Sequence, residues 1–135
     1  MAIIISKLRQ ATRISDYIPV KITARNEVTG ITVAGPFSGK IINISNIGSC
    51  LLMKQVMMGS YHIFHSTRED NSLFLQLTID LPPNIENVKI PTQPVWMDLF
   101  HQDDVRAFKM GVEFLLNPED GQKKIKKLLA AIAHK

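Results

Sequence analysis

A small set of residues in this sequence has the types and spacing to hold a polar ligand. Arg9 and Arg13 are two guanidiniums four residues apart, and Asn43, Ser45 and Gly48 follow as an Asn-x-Ser-x-x-Gly array. Positions four apart share a side in either a helix or an extended strand, so both arginines can converge on one object. Within the run from Lys40 to Leu52, strand alternation is expected to place Ile42 and Ile44 on one face and Asn43 and Ser45 on the other. An amide and a hydroxyl then stand together on a surface backed by apolar packing. At Asn46-Ile47-Gly48 the glycine permits a turn closed to most residues, and Cys50, Leu51 and Leu52 begin a returning strand. The ordinary alternative is that Asn43 and Ser45 satisfy backbone groups of the turn itself.

The elements that must position these residues read as short strands. Ile18, Val20, Ile22 and Ala24 alternate inward, with Pro19 marking an edge strand or a strand beginning. Arg25 to Phe37 contains Asn26, Gly30, Gly35 and Pro36 around the β-formers Ile31-Thr32-Val33, which fits a hairpin or a long loop. Lys54 to Arg68 is the least legible region; Tyr61 to His65 reads as a strand and Arg68 to Asn71 as a polar turn. Leu73, Leu75, Leu77 and Ile79 alternate clearly until Leu81-Pro82-Pro83-Asn84 interrupts them. Further strands are expected at Val88 to Thr92, Pro94 to Phe100 and Lys109 to Leu115, the last after the acidic turn Gln102-Asp103-Asp104. Strands at this spacing predict an all-β, closed or nearly closed barrel.

The final element is helical. Asn117 is a cap residue, Pro118 suits the first helical position and Glu119 and Asp120 suit the positive end of a helix. Ile125, Leu128, Leu129 and Ile132 form its apolar stripe, expected to dock on the barrel and close one open end. Lys123, Lys124, Lys126 and Lys127 form a solvated opposite face, an arrangement that membrane or nucleic-acid binding helices share.

At 135 residues, 45% hydrophobic and 21% charged, the chain is sized and composed as one globular domain. A net charge of +4 favours a phosphate-bearing or acidic partner without specifying one. Cys50 is the single cysteine, which excludes an internal disulfide and reads as a buried structural thiol compatible with a reducing compartment. The apolar start Ile3-Ile4-Ile5 is too short for a signal-peptide core or a membrane span, so no membrane insertion and a cytoplasmic location are expected.

Arg9-x-x-x-Arg13 with Asn43-x-Ser45-x-x-Gly48 resembles the two-part signature of PilZ domains, bacterial receptors for cyclic di-GMP. The resemblance extends through Leu77-x-Ile79-Asp80-Leu81-Pro82, Pro94-Val95-Trp96 and Gly111-Val112-Glu113-Phe114, in the order such sequences show, and covers about residues 8 to 134. Extra residues around Gly30 to Phe37 and in Lys54 to Arg68 depart from the pattern and are expected to alter loops only. The resemblance implies a six-stranded antiparallel β-barrel (17–135) capped by one C-terminal helix (117–134), preceded by a flexible arm (1–16) that carries the arginine motif. It implies that cyclic di-GMP lies on the barrel's outer surface, held by Arg9, Arg13, Asn43, Ser45 and Gly48. The guanidiniums suit phosphate oxygens and the O6/N7 edge of guanine, and can stack on the purine face. Trp96 is either an aromatic wall of that site or a core residue. Leu8, before the first arginine, offers no further guanidinium, which points to one nucleotide rather than a stacked pair.

The activity implied is a switch that makes and breaks no bond: no cofactor, no metal, and a downstream protein partner of unknown identity. The alternatives are a PilZ-like adaptor that binds no nucleotide and an oligonucleotide-binding barrel, the latter disfavoured by an aromatic content of 7%. An enzyme is disfavoured further. Residues 34–41 have the outline of a phosphate loop but place Ile41 where a magnesium-binding hydroxyl is needed. His62 and His65 would face opposite ways on a strand and lack a third ligand, and Cys50 lacks a basic partner. Arg13→Ala is expected to weaken cyclic di-GMP binding at least tenfold, about 1.4 kcal/mol, with the melting temperature of the free protein nearly unchanged. Calorimetric titration and a thermal melt check the two halves of that statement.

Overall fold

The computed structural model describes residues 17–83, 85–102, 104–116 and 120–133. The arm, with Leu8, Arg9 and Arg13, lies outside the described residues, as do Asn117, Pro118 and Glu119. The elements are β1 (Ile18–Asn26), β2 (Thr32–Ile44), β3 (Gly48–Met53), β4 (Met57–Met58), β5 (Tyr61–His62), α1 (His65–Glu69), β6 (Leu73–Leu81), β7 (Ile85–Gln102), β8 (Val105–Phe114) and α2 (Asp120–Ala133).

Where the sequence alternates strictly, the structure follows it. Ile18, Val20, Ile22 and Ala24 of β1 and Leu73, Leu75, Leu77 and Ile79 of β6 are all buried, and the two strands pair from Val20↔Ile79 to Asn26↔Leu73. Pro19 pairs only with Lys40 of β2, just before the β6 pairing begins, so its missing N–H interrupts no ladder on that side. Antiparallel pairing continues through β2, β3, β8, β7 and β6 and returns to β1, giving a closed six-stranded barrel in the order β1-β2-β3-β8-β7-β6. Closure removes the free sheet edges that an open antiparallel sheet would leave.

The interior is filled by side chains from every barrel strand, among them Phe37, Ile41, Leu51, Met53, Ile90 and Met110. Both rims are sealed as well. The β2–β3 and β6–β7 turns mark one rim, and there α2 follows β8 and adds Ile125, Leu128, Leu129 and Ile132 to the same core. Lys124 Nζ donates to the Lys89 carbonyl at 2.8 Å, so the polar face of α2 also grips β7. At the opposite rim, the connector between β3 and β6 inserts Ile63, which is fully buried.

Several expectations are corrected. Tyr61 to His65 is not a strand: only Tyr61 and His62 extend, pairing with Met58 and Met57, and His65–Glu69 is a helical turn. Tyr61 Oη and Thr67 Oγ1 lie 2.6 Å apart, and the Thr67 hydroxyl donates to the Ile63 carbonyl at 2.6 Å. His62 Nδ1 accepts the N–H groups of Phe64 and His65, and because the chain turns there the two histidine rings lie 4.5 Å apart instead of on opposite faces. A five-residue helix buries too few positions to leave a 3.6-residue period in the sequence.

The region Arg25 to Phe37 is a hairpin whose turn is confined to residues 27–29, with Gly35 and Pro36 inside β2. The two strands expected at 88–92 and 94–100 are one, β7, with a bulge at Val95 where the pairs shift from Pro94↔Val112 to Trp96↔Gly111. Pro94 is tolerated because the β6 pairing has ended at Thr92. Beyond that point β7 and β8 continue as a two-stranded ribbon to Gln102↔Val105. Arg68 of α1 covers the start of the unpaired β7 edge, its Nη1 donating to the Pro94 carbonyl at 2.8 Å and lying 3.4 Å from that of Val95.

Leu77 sits in the filled interior with no exposure, so Leu77→Ala should cost about 2–5 kcal/mol by the usual sum of lost transfer and cavity terms. Urea unfolding of the two proteins, compared at equal m-value, measures it.

Candidate functional site

The clearest correction falls beside the Asn-x-Ser-x-x-Gly array. Ile41 pairs with Leu51 and Asn43 with Cys50, leaving Ile42 as an extra residue in a β-bulge. The bulge turns Ile41 and Ile44 both inward, at 0% and 1% exposure, whereas Ile42 is only half-buried. Ile42 and Ile44 therefore do not share the inner face. Asn43 keeps its outward position, now backed by Ile41 and Ile44.

Register across the barrel then builds a surface that spans four strands. Asn43 opposes Cys50, Cys50 opposes Gly111 and Gly111 opposes Trp96, a single row over β2, β3, β8 and β7. The next row joins Gly48, Glu113 and Gln93. Both rows face outward, because the intervening Ser49, Leu51, Met110 and Val112 are buried. Together they border a groove of about 510 Å³ lined by Asn43, Ser45, Ile47, Gly48, Ser49, Cys50, Val95, Trp96, Gly111, Val112 and Glu113. Thus Asn43, Ser45, Gly48 and Trp96 share one groove.

Their local roles differ. The Asn43 side chain makes no hydrogen bond to another described residue, while the Asn43 backbone carbonyl accepts from Ser49 Oγ at 2.8 Å. The Ser45 hydroxyl is engaged in the turn, accepting from Ile47 N–H at 3.2 Å and lying 3.4 Å from the Gly48 carbonyl. Ser45 N–H donates to that same carbonyl at 2.9 Å, and Phe114 N–H donates to the Ile47 carbonyl at 2.9 Å, tying the turn to β8. Ser45 is thus first a turn residue, as the local alternative anticipated.

Gly48 is required for a reason other than turn conformation: a Cβ there would sit 2.3 Å from the Val112 carbonyl oxygen of β8. Gly111 is similar in effect, because a Cβ would lie 2.1 Å from Trp96 Nε1. The indole therefore lies over the Gly111 backbone and covers it, while Trp96 itself stays 43% exposed. Trp96 is a wall of the groove and not a core residue.

Cys50 forms part of the floor between Asn43 and Gly111. Burial raises its thiol pKa to about 11, against a smaller opposing effect of Lys109, so it stays protonated near neutral pH. Glu113 is exposed and is the one charged side chain among the described residues that line the groove. Sequence reading passed over Cys50, Gly111 and Glu113 as groove residues. Residues 111 and 113 share a face of any strand, but their neighbours across β3 and β7 follow only from the register. His62 and His65 lie in the connector, away from the groove lining, and no group of three or more potential metal ligands occurs among the described residues.

No protein-family model matches the chain, and no curated protein matches it. Among solved structures it is similar to K. pneumonia MrkH in its apo state, at 18% identity and a TM-score of 0.56, covering 87% of this chain and 47% of that one. It is also similar to the PilZ domain of Escherichia coli YcgR, solved with c-di-GMP, at 8% identity and a TM-score of 0.57, covering 92% and 93% of the two chains. The chain spans about half the length of the MrkH chain it matches. The shared property is the fold: a six-stranded antiparallel barrel with a C-terminal helix, PilZ-like in architecture.

Gly48→Ala must push apart β3 and β8 or break the turn. It is expected to destabilise the fold by at least about 2 kcal/mol, in the range of overpacked buried sites. Chemical denaturation measures it, with Gly59→Ala, where nothing lies within 4 Å, as a milder comparison that carries only the cost of its positive φ.

Proposed function

We propose that this chain, built on the fold of PilZ domains, is a cyclic di-GMP receptor whose ligand occupies the groove between Asn43 and Trp96. The observation that carries the reading is that the Asn43, Ser45 and Gly48 array and Trp96, about fifty residues further along the chain, line one outward groove. The E. coli PilZ domain of like fold was solved with that nucleotide, which supports the choice of ligand.

In this reading the groove supplies shape, stacking and neutral hydrogen-bonding groups, and the arm supplies positive charge. Trp96 offers its exposed ring to a guanine. The unengaged Asn43 amide offers both a donor and an acceptor to the nucleotide, and Gly48 leaves the surface clear. Arg9 and Arg13 close on phosphate oxygens and the guanine O6/N7 edge. The reach is sufficient. β1 begins at the rim that carries the β2–β3 turn. Arg13 precedes Tyr17 by four residues, about 13 Å of extended chain, against about 10 Å across the β1-β2-β3 spacing. Leu8 favours one nucleotide per chain. Closure of the arm over the ligand changes the surface offered to a downstream protein partner, and the output is a switch in the cytoplasm without catalysis.

Calorimetric titration with cyclic di-GMP, with GTP and cyclic GMP as controls, tests the proposal. Saturable binding of cyclic di-GMP alone is expected, and Trp96→Ala should weaken it about tenfold, the value of one base–aromatic stack. A chain indifferent to cyclic di-GMP at high micromolar concentration overturns the reading and leaves the adaptor alternative.

A further inference from the structure

The groove holds a group that a site for phosphates does not call for. Glu113 projects from the outer face of β8 next to Gly111, over which the Trp96 indole lies. It is exposed, and it has neither an ion pair nor a hydrogen bond to another described residue. Its cross-strand neighbours offer it no donor. Gly48 has no side chain, and the Gln93 amide is committed elsewhere, with Nε2 donating to the Leu73 carbonyl at 3.0 Å. A carboxylate with no structural duty, beside an aromatic wall, is an acceptor waiting for donors.

Resting on the receptor reading above, we propose that Glu113 determines base specificity by accepting the N1–H and N2–H donors of a guanine packed against Trp96. An ionised carboxylate is acceptor-only and takes two parallel hydrogen bonds on its two oxygens. Guanine presents two adjacent donors on that edge. Adenine presents the N1 lone pair there, which the carboxylate repels. Toward the phosphates the same charge is unfavourable, so its place in the groove tells for a base edge and against a phosphate contact. The role complements the arginines: guanidiniums read the acceptor edge of guanine, O6 and N7, and the carboxylate reads its donor edge.

Glu113→Gln keeps the size of the side chain and replaces one acceptor by a donor, at an exposed position where folding is insensitive. Titrations of wild type and Glu113→Gln with cyclic di-GMP, cyclic di-AMP and cyclic di-IMP, the last lacking the N2 amine, separate the outcomes. Cyclic di-GMP is expected to bind the variant at least tenfold more weakly. The preference over cyclic di-AMP should shrink by at least as much, and loss of the N2 amine should cost wild type more than the variant. Unchanged or tighter binding of cyclic di-GMP by Glu113→Gln overturns it while leaving the receptor reading intact. A wild-type chain that binds no cyclic di-GMP removes the receptor reading and this one together.

Discussion

The pairing of β3 with β8 is the contact on which the rest depends. These strands are far apart in sequence, yet their ladder runs from Gly48↔Glu113 to Met53↔Phe108 and closes the barrel. It demands an approach so close at Gly48 that a single methyl group would meet the Val112 carbonyl. It joins the half of the groove built on β2 and β3 to the half built on β7 and β8. Cys50 reaches Gly111, Gly48 reaches Glu113, and the turn at Ser45 is tied to Phe114, only because β3 lies flush on β8.

A filled interior decides where chemistry can happen. A six-stranded barrel has room inside for side chains and little else, and here both rims are sealed, one by α2 and the other by Ile63 of the connector. A nucleotide-sized molecule can therefore be met only on the outside. Small residues let that outside surface dip: Gly48, Cys50 and Gly111 form the low ground, and Asn43, Trp96 and Glu113 stand around it.

The all-β class, the closed sheet and the terminal helix were legible because period-2 alternation in β1 and β6 and the 3.6-residue stripe of α2 each repeat over several residues. What was not legible was where alternation slips. A bulge adds one residue and reverses a face without altering composition, so plain alternation points Ile42 inward. It also gives no sign of the irregularity at Val95, in the second of the two strands expected where β7 runs unbroken. The groove was half legible in the same way. Asn43, Ser45 and Gly48 share a short array and Trp96 announces itself by size, whereas the importance of Gly111 and Glu113 lies in their partners on β3 and β7. No short stretch of sequence contains partners that lie about fifteen to sixty-five residues away. The reason for Gly48 was also hidden: it answers to a neighbouring carbonyl and not to its own backbone angle.

The guanidinium of Arg68 sits where a seventh strand would begin. The β7–β8 ribbon leaves the barrel with one side of β7 bare, and a bare flank of backbone amides and carbonyls is a template on which another polypeptide can crystallise. Arg68 takes the first carbonyls of that flank, and its own position is braced by the Phe64 ring 5.4 Å away. The short helix that no periodicity announced thus works as a stopper. It shortens the sticky length of the ribbon, and it keeps the edge nearest Trp96 from being used by a stray chain.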